Sequence, residues 1–140
     1  MAEMDRAQLD SFLAVARIAK LATLNADGSP NVVPVWFEWD GADALVFTTR
    51  TSAKIRRLKR DHRVTLSVEE GVGVPEAWVS IEGTATVEAA GAWGLIERLT
   101  PRYYDAAKAR ETLLSWGQMK EEWVVIRISP RRIRSSAPGS

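Results

Sequence analysis

Between residues 47 and 57 the chain reads Phe47-Thr48-Thr49-Arg50-Thr51-Ser52-Ala53-Lys54-Ile55-Arg56-Arg57. An apolar run ends, hydroxyls follow, and cations enter just where a helix opens. That order of residue types suits a phosphate. Free backbone N–H groups at a helix N-terminus point toward an anion, and the helix dipole assists them. Thr49, Thr51 and Ser52 can donate hydroxyl hydrogen bonds, and Arg50, Lys54 and Arg57 supply charge. Lys54 and Arg57 share one helical face, while Ile55 and Leu58 share another that can pack inward. On pattern alone a second reading stands level with the first: Ser52 caps the helix and the cations are solvated. No glycine-rich cradle followed by Lys-Ser/Thr is present, so this is not a Walker loop.

Other chemistries find less support. The chain has no cysteine, which removes thiolate nucleophiles and disulfides. Its one histidine, His62, makes a His-rich metal site or a Ser-His-Asp hydrolase a poor expectation. A net charge of +1 argues against general nucleic-acid binding. No apolar run approaches the length of a membrane span and no leader-like segment is evident, so a cytoplasmic protein is expected. Six tryptophans (Trp36, Trp39, Trp78, Trp93, Trp116 and Trp123) are many for 140 residues. Core packing is the ordinary fate of each, yet their number leads us to expect that a subunit interface or a planar ligand claims some.

These residues need elements to hold them. A chain of this length forms one domain, taken as residues 1–140. Asp5 to about Arg17 has helical spacing of Leu9, Phe12, Leu13 and Ala16. A hairpin follows: a strand over Ile18–Leu24, a turn at Asn25-Ala26-Asp27-Gly28-Ser29-Pro30, and a strand over Asn31–Trp39. The second strand is apolar on both faces through its middle, and Pro34 places it at an edge or a bulge. It could therefore form a shelf for a flat ligand. Further strands are expected at Ala44–Thr49, Val64–Val68, Ala77–Val87 and Trp123–Ile128, the last closed by Ser129-Pro130 ahead of a basic tail. Helices are expected at Lys54–Asp61, Gly91–Leu99 and Ala106–Trp116, with a break at Thr100-Pro101. Hairpins alternating with isolated helices give an α+β class, with a mostly antiparallel sheet curled into a barrel.

The order of several motifs resembles the pyridoxamine 5′-phosphate oxidase-like flavin-binding superfamily. They are Ala19-Lys20-Leu21-Ala22-Thr23-Leu24, Asp27-Gly28-Ser29-Pro30, Val33-Pro34-Val35-Trp36-Phe37, Phe47-Thr48-Thr49, Lys54 and Leu58-Lys59-Arg60-Asp61-His62-Arg63-Val64. Val79-Ser80-Ile81-Glu82-Gly83-Thr84-Ala85 and the segment from Ile126 to Ser135 extend the likeness over nearly the whole chain. Within the superfamily it is most similar to the flavin/deazaflavin oxidoreductases, whose members include users of coenzyme F420.

That resemblance implies a six-stranded antiparallel split β-barrel with flanking helices, working as a homodimer with cofactor sites between subunits. Carried over by position, Val33, Pro34, Val35 and Trp36 lie beside the tricyclic ring, mainly through backbone. Thr49, Arg50, Ser52 and Lys54 surround the phosphate, Arg57 adds to them, and Trp78 approaches from the partner subunit. His62 stands where relatives usually carry proline and is expected at a loop or helix end. The implied activity is an F420-dependent reductase that transfers a hydride to an unsaturated small molecule. An FMN-binding oxidoreductase and a non-catalytic flavin or F420 carrier are the alternatives. The cofactor carries that chemistry, so no catalytic side chain and no metal ligand is assigned; solvent, Tyr103 or Tyr104 could supply a proton, with core or interface packing the expected role of both tyrosines.

Overall fold

Asp5 opens the first helix, α1 (Arg6–Ala14), with a reciprocal cap: its carboxylate accepts from the Gln8 N–H while the Gln8 side chain accepts from the Asp5 N–H. The computed structural model describes residues 2–138. Leu9, Phe12 and Leu13 face the core as the spacing predicts. The helix stops short of Arg17, whose guanidinium lies 3.8 Å over the Phe12 ring and forms a two-bond pair with Glu70. After α1 come β1 (Ala19–Leu24), β2 (Pro30–Val35), β3 (Glu38–Trp39), β4 (Ala44–Thr49), α2 (Ala53–Arg60), β5 (Arg63–Glu69) and β6 (Trp78–Glu88). Then follow α3 (Ala92–Tyr103), α4 (Ala106–Trp116), a 3₁₀ turn (Gly117–Glu122) and β7 (Trp123–Ser136). No helix among the described residues is long and apolar enough to cross a membrane.

All strand pairs are antiparallel, in the order β2-β1-β5-β6-β7-β4-β3. The strand expected over Asn31–Trp39 is broken at Trp36–Phe37. Its first part pairs with β1 and its last part with β4, so one stretch of chain connects both edges of the sheet. This curls the sheet into a barrel, split where the stretch breaks. Among the described residues the hydrogen-bonded strands number seven; β2 and β3 taken as one stretch give the six that the resemblance implies. Pro34 sits on the edge strand, where its missing N–H costs the ladder little.

The barrel interior is built from in-register apolar rows. Val33, Leu21, Leu66, Ile81 and Ile133 follow one another across β2, β1, β5, β6 and β7. Leu21, Leu66 and Ile81 are fully buried, each contributing about 1.5–3 kcal/mol by removal from water. A second cluster lies outside the barrel, where Leu95, Ile96 and Leu99 of α3 cover Leu45, Trp123 and Val125. Trp36, Phe47, Trp93, Tyr103, Leu113 and Trp116 flank it. Strands β4 and β7 are thus apolar on both faces because each lies between the two clusters. Four of the six tryptophans pack within this chain's second cluster, and Trp39 packs on the barrel core with its indole N–H donated to Asp10 at 2.8 Å.

Two expected stops are passed through. Helix α3 continues through Thr100-Pro101 to Tyr103. Proline removes only one donor near the end, and the buried row Leu95, Ile96, Leu99 and Thr100 holds the helix to the sheet. Likewise Ser129-Pro130 does not close β7. The register shifts by a bulge at Glu82/Gly83, and the strand continues, so that the basic segment is sheet rather than tail. Gly83 makes this possible: a Cβ there would lie 2.2 Å from the Ser129 carbonyl oxygen.

Candidate functional site

Strand β4 delivers the chain to the phosphate-like segment. Thr49 is its last residue, paired with Trp123, and its carbonyl accepts from the Ser52 N–H at 3.1 Å. Ser52 takes the N-cap position of α2 with extended backbone, as expected, but its side chain does not cap. The Ser52 hydroxyl oxygen is instead buried without a hydrogen-bond partner. The start of α2 therefore keeps open N–H groups and the positive end of its dipole beside an unused hydroxyl.

Lys54 lies one turn before Leu58, half-buried, and among the described residues it has no carboxylate partner. Burial pushes its pKa below the ordinary 10.5, and the neighbouring charge of Arg57 adds to the shift. A half-buried cation with another beside it and no counter-ion is an unfavourable arrangement that an anion would relieve. Arg57 in turn donates Nε–H to the Asn25 side-chain oxygen at 2.9 Å, tying α2 to the β1–β2 turn.

One further buried polar group lies outside the residues that the sequence singled out. Asn31, paired with Thr23 near the start of β2, has a side-chain oxygen that is also buried and unpartnered. It shares the inward side of the strand with Val33 and Val35. A polar residue in an otherwise apolar inward row was the signal available in the sequence. Asn31 and Ser52 thus offer two buried polar atoms without partners, an amide oxygen that can accept from a ligand hydroxyl and a hydroxyl that can donate to a phosphate.

The other expected site residues divide. Val33 packs on the barrel core and Val35 is buried within it, while Pro34 is exposed opposite Lys20. β2 is an edge strand, so its outer backbone groups are available to a ligand. Trp36 leaves the ladder and stacks on Tyr103 with ring centres 4.8 Å apart and planes 5° apart. Arg50 is drawn the other way: its N–H donates to the Glu122 carbonyl at 2.8 Å, and its guanidinium donates to the Glu121 carbonyl beside the Glu122 carboxylate. Arg56 donates to the Thr51 carbonyl at 3.0 Å. Trp78 lies at the start of β6, paired with Glu69 and Ser136. Six residues of strand, roughly 20 Å, separate it from Thr84, which lines a groove against α2. One chain does not bring it to the Ser52–Lys54 cluster.

His62 is exposed at the junction of α2 and β5, as expected, and its carbonyl accepts from the Ala85 N–H at 2.8 Å. It borders an apolar groove of about 530 Å³ floored by Ile55, Leu58 and Ala85, on the side of α2 that carries Lys59. Tyr103 is not placed to supply a proton. Its hydroxyl already donates to the Arg17 carbonyl at 2.8 Å and accepts from the Phe37 N–H at 3.3 Å, and burial pushes its pKa up. Tyr104 packs edge-on to Trp36 with the Lys108 ammonium 4.8 Å from its ring centre.

Comparison with known proteins fits this fold. A family model for pyridoxamine 5′-phosphate oxidase matches residues 6–137. An F420H(2)-dependent biliverdin reductase from Mycobacterium tuberculosis (strain CDC 1551 / Oshkosh) is 39% identical over 79 residues, 55% of each chain. The match therefore spans about half the length of that curated relative. Among solved structures, the conserved hypothetical protein Rv2991 from Mycobacterium tuberculosis is 30% identical, with a TM-score of 0.74 over 94% of this chain and 84% of that one. A protein titled F420 reductase is 24% identical and shares the fold, with a TM-score of 0.71 over 89% of this chain and 94% of the other.

Proposed function

The chain belongs to the pyridoxamine 5′-phosphate oxidase family, and from that premise we propose that it is a cytoplasmic, homodimeric reductase. It binds coenzyme F420 by its phosphate and transfers a hydride from the reduced cofactor to an unsaturated small molecule. The observation that carries the reading is the pair formed by the unpartnered Ser52 hydroxyl and the half-buried, uncompensated Lys54 at the uncapped start of α2. Thr49 and Arg57 border that pair, and Asn31 supplies an amide oxygen on the way to the β2 edge. The backbone of Val33, Pro34, Val35 and Trp36 then lies along the ring.

The bound cofactor would supply the hydride. The chain's own part is to hold and orient it: Lys54 and the open N–H groups of α2 fix the phosphate, and β2 fixes the ring's plane. The name of the matched biliverdin reductase favours F420 over FMN. F420 also carries an acidic tail beyond its phosphate, and the exposed Arg56 beside Arg57 suits it. Arg50 would join them only by releasing Glu122. FMN needs the phosphate cluster alone and is the alternative ligand. A carrier role is favoured by one feature, the engagement of both tyrosines in the aromatic cluster.

The resemblance puts Trp78 at the site, and only a second chain would bring it there, so that placement requires the dimer. The outer rows of β1, β5 and β6 carry the half-buried side chains of Ala22, Thr65, Ser67 and Ser80 beside the Lys20–Glu69 ion pair, the face we assign to a second copy. Fluorescence titration with F420 and FMN tests the central claim, and binding of neither refutes it. Turnover of an enone or a linear tetrapyrrole by reduced F420 would separate reductase from carrier. Sedimentation that gives only monomer would remove Trp78 from the site.

A further inference from the structure

The β2 edge is held firmly on one side only. Its ladder with β1 ends where Val35 pairs with Ala19, and Trp36–Phe37 then crosses toward the opposite edge of the sheet. At that crossing a single side chain makes three contacts. The Tyr103 ring stacks on Trp36 at 4.8 Å and 5°, its hydroxyl accepts from the Phe37 N–H at 3.3 Å, and it donates to the Arg17 carbonyl at 2.8 Å. Arg17 is itself fixed by Glu70 and by the Phe12 ring, so the hydroxyl is anchored to a rigid point just before β1.

The Thr100-Pro101 step explains how Tyr103 gets there. The Thr100 hydroxyl donates back to the Ile96 carbonyl at 2.7 Å, a bond of the kind that bends helices. Pro101 removes the next donor, that to the Glu97 carbonyl. The last turn of α3 is thereby set apart from the regular ladder, and Tyr103 closes it.

We infer that Tyr103 is a positioning residue for the cofactor's tricyclic ring: by clamping Trp36 and Phe37 to Arg17, it sets the height and tilt of the Val33–Trp36 backbone along which the ring would lie. This rests on the cofactor reading above. It assigns Tyr103 a part in ring binding and none in phosphate binding, since the Ser52–Lys54 cluster lies on α2 and shares no contact with it.

The test separates those two parts. Tyr103→Phe keeps the stack and removes both hydroxyl bonds. It should weaken F420 and FMN binding about five- to tenfold, the worth of roughly one neutral hydrogen bond. Stabilisation of the protein by inorganic phosphate, which has no ring, should be unchanged. Amide exchange at Phe37 should quicken in the free variant. Unchanged affinity for both tricycles, or equal losses for tricycle and phosphate, would overturn the inference and leave Tyr103 as packing. Should Tyr103→Phe fail to fold, Trp36→Leu removes the stack instead and should give the same ring-only loss; an unchanged affinity there would refute the clamp equally. If the wild-type protein stabilises with phosphate but binds neither tricycle, the cofactor reading fails and the ring assignment falls with it.

Discussion

Replacing Lys54 with alanine should move the free and the anion-bound protein in opposite directions. In the free protein the Lys54 ammonium is half-buried and its pKa lies below the ordinary 10.5, held there by burial and then by the Arg57 charge. The folded chain holds this proton less tightly than the unfolded chain, so the charge detracts from folding. That deficit is complete below the lowered folded pKa. It is relieved as pH rises from there toward 10.5, because in that window the unfolded chain keeps a proton the folded chain has released. The free Lys54→Ala protein should therefore melt no lower than wild type at neutral pH, and wild type should gain on it under alkaline conditions.

With a phosphate bound the sign reverses. A charge-assisted hydrogen bond from the ammonium contributes about 1.5–3 kcal/mol, or roughly ten- to 150-fold in Kd. The lower half of that range is expected, since the group is only half-buried and solvent screens it. Affinity of the wild type should also fall as pH rises and Lys54 loses its proton. Fluorescence titration with F420 and FMN, paired with thermal melts with and without ligand, measures both effects. A variant that binds as tightly as wild type would refute the phosphate assignment. So would one that loses stability when free but no affinity.

Ser52→Ala should leave the melting temperature of the free protein nearly unchanged, because the hydroxyl caps nothing. It should weaken cofactor binding about fivefold in the same titration. Gly83→Ala should destabilise by about 3 kcal/mol in denaturant unfolding, since its Cβ would meet the Ser129 carbonyl oxygen and force the β6–β7 bulge apart. Arg63 holds the Asp61 carboxyl at about 2 through side-chain and backbone hydrogen bonds, so the stability this carboxylate contributes is present above 3.8 and lost as pH falls toward 2. Carbon NMR should find the Asp61 titration moved up from about 2 toward 3.8 in Arg63→Ala but still below it, because the backbone N–H of residue 63 still donates to the carboxylate.

Much of the local structure around the candidate site was legible because its signals are local. Ser52, Lys54 and Arg57 fall within one helical turn and the residue before it, and hydroxyls before cations at a helix start mean the same chemistry wherever the helix packs. The strand over Ala44–Thr49 and the helix over Ala106–Trp116 were placed to the residue because their limits are also local: an apolar run bounded by turn residues for the strand, and Asp105 and Gly117 at the two ends of the helix. Arg50 shows the limit of such reasoning. Its neighbours in sequence point to the phosphate, yet Glu122, more than seventy positions on, holds it because β4 and β7 pair. Asn31 was passed over because its burial depends on the tertiary packing of the β2 inward face and not on its neighbours in sequence.

By itself the sequence determined the α+β class, the hairpins, the edge character of the proline-bearing strand and the clustering of hydroxyls and cations at the start of α2. Each follows from backbone preferences and side-chain periods over a few residues. Only the tertiary structure decided where the strand over residues 31–39 divides, that α3 runs through Pro101, and that β7 continues past Pro130. It also decided that Tyr103 links three segments at Trp36. These depend on partners far away in the chain: two sheet edges that one strand must reach, a buried helix face that outweighs one lost donor, and a glycine without a Cβ where two strands bulge. Local propensity sets what a segment can do, and the energy of burying and pairing it against the rest of the chain sets what it does.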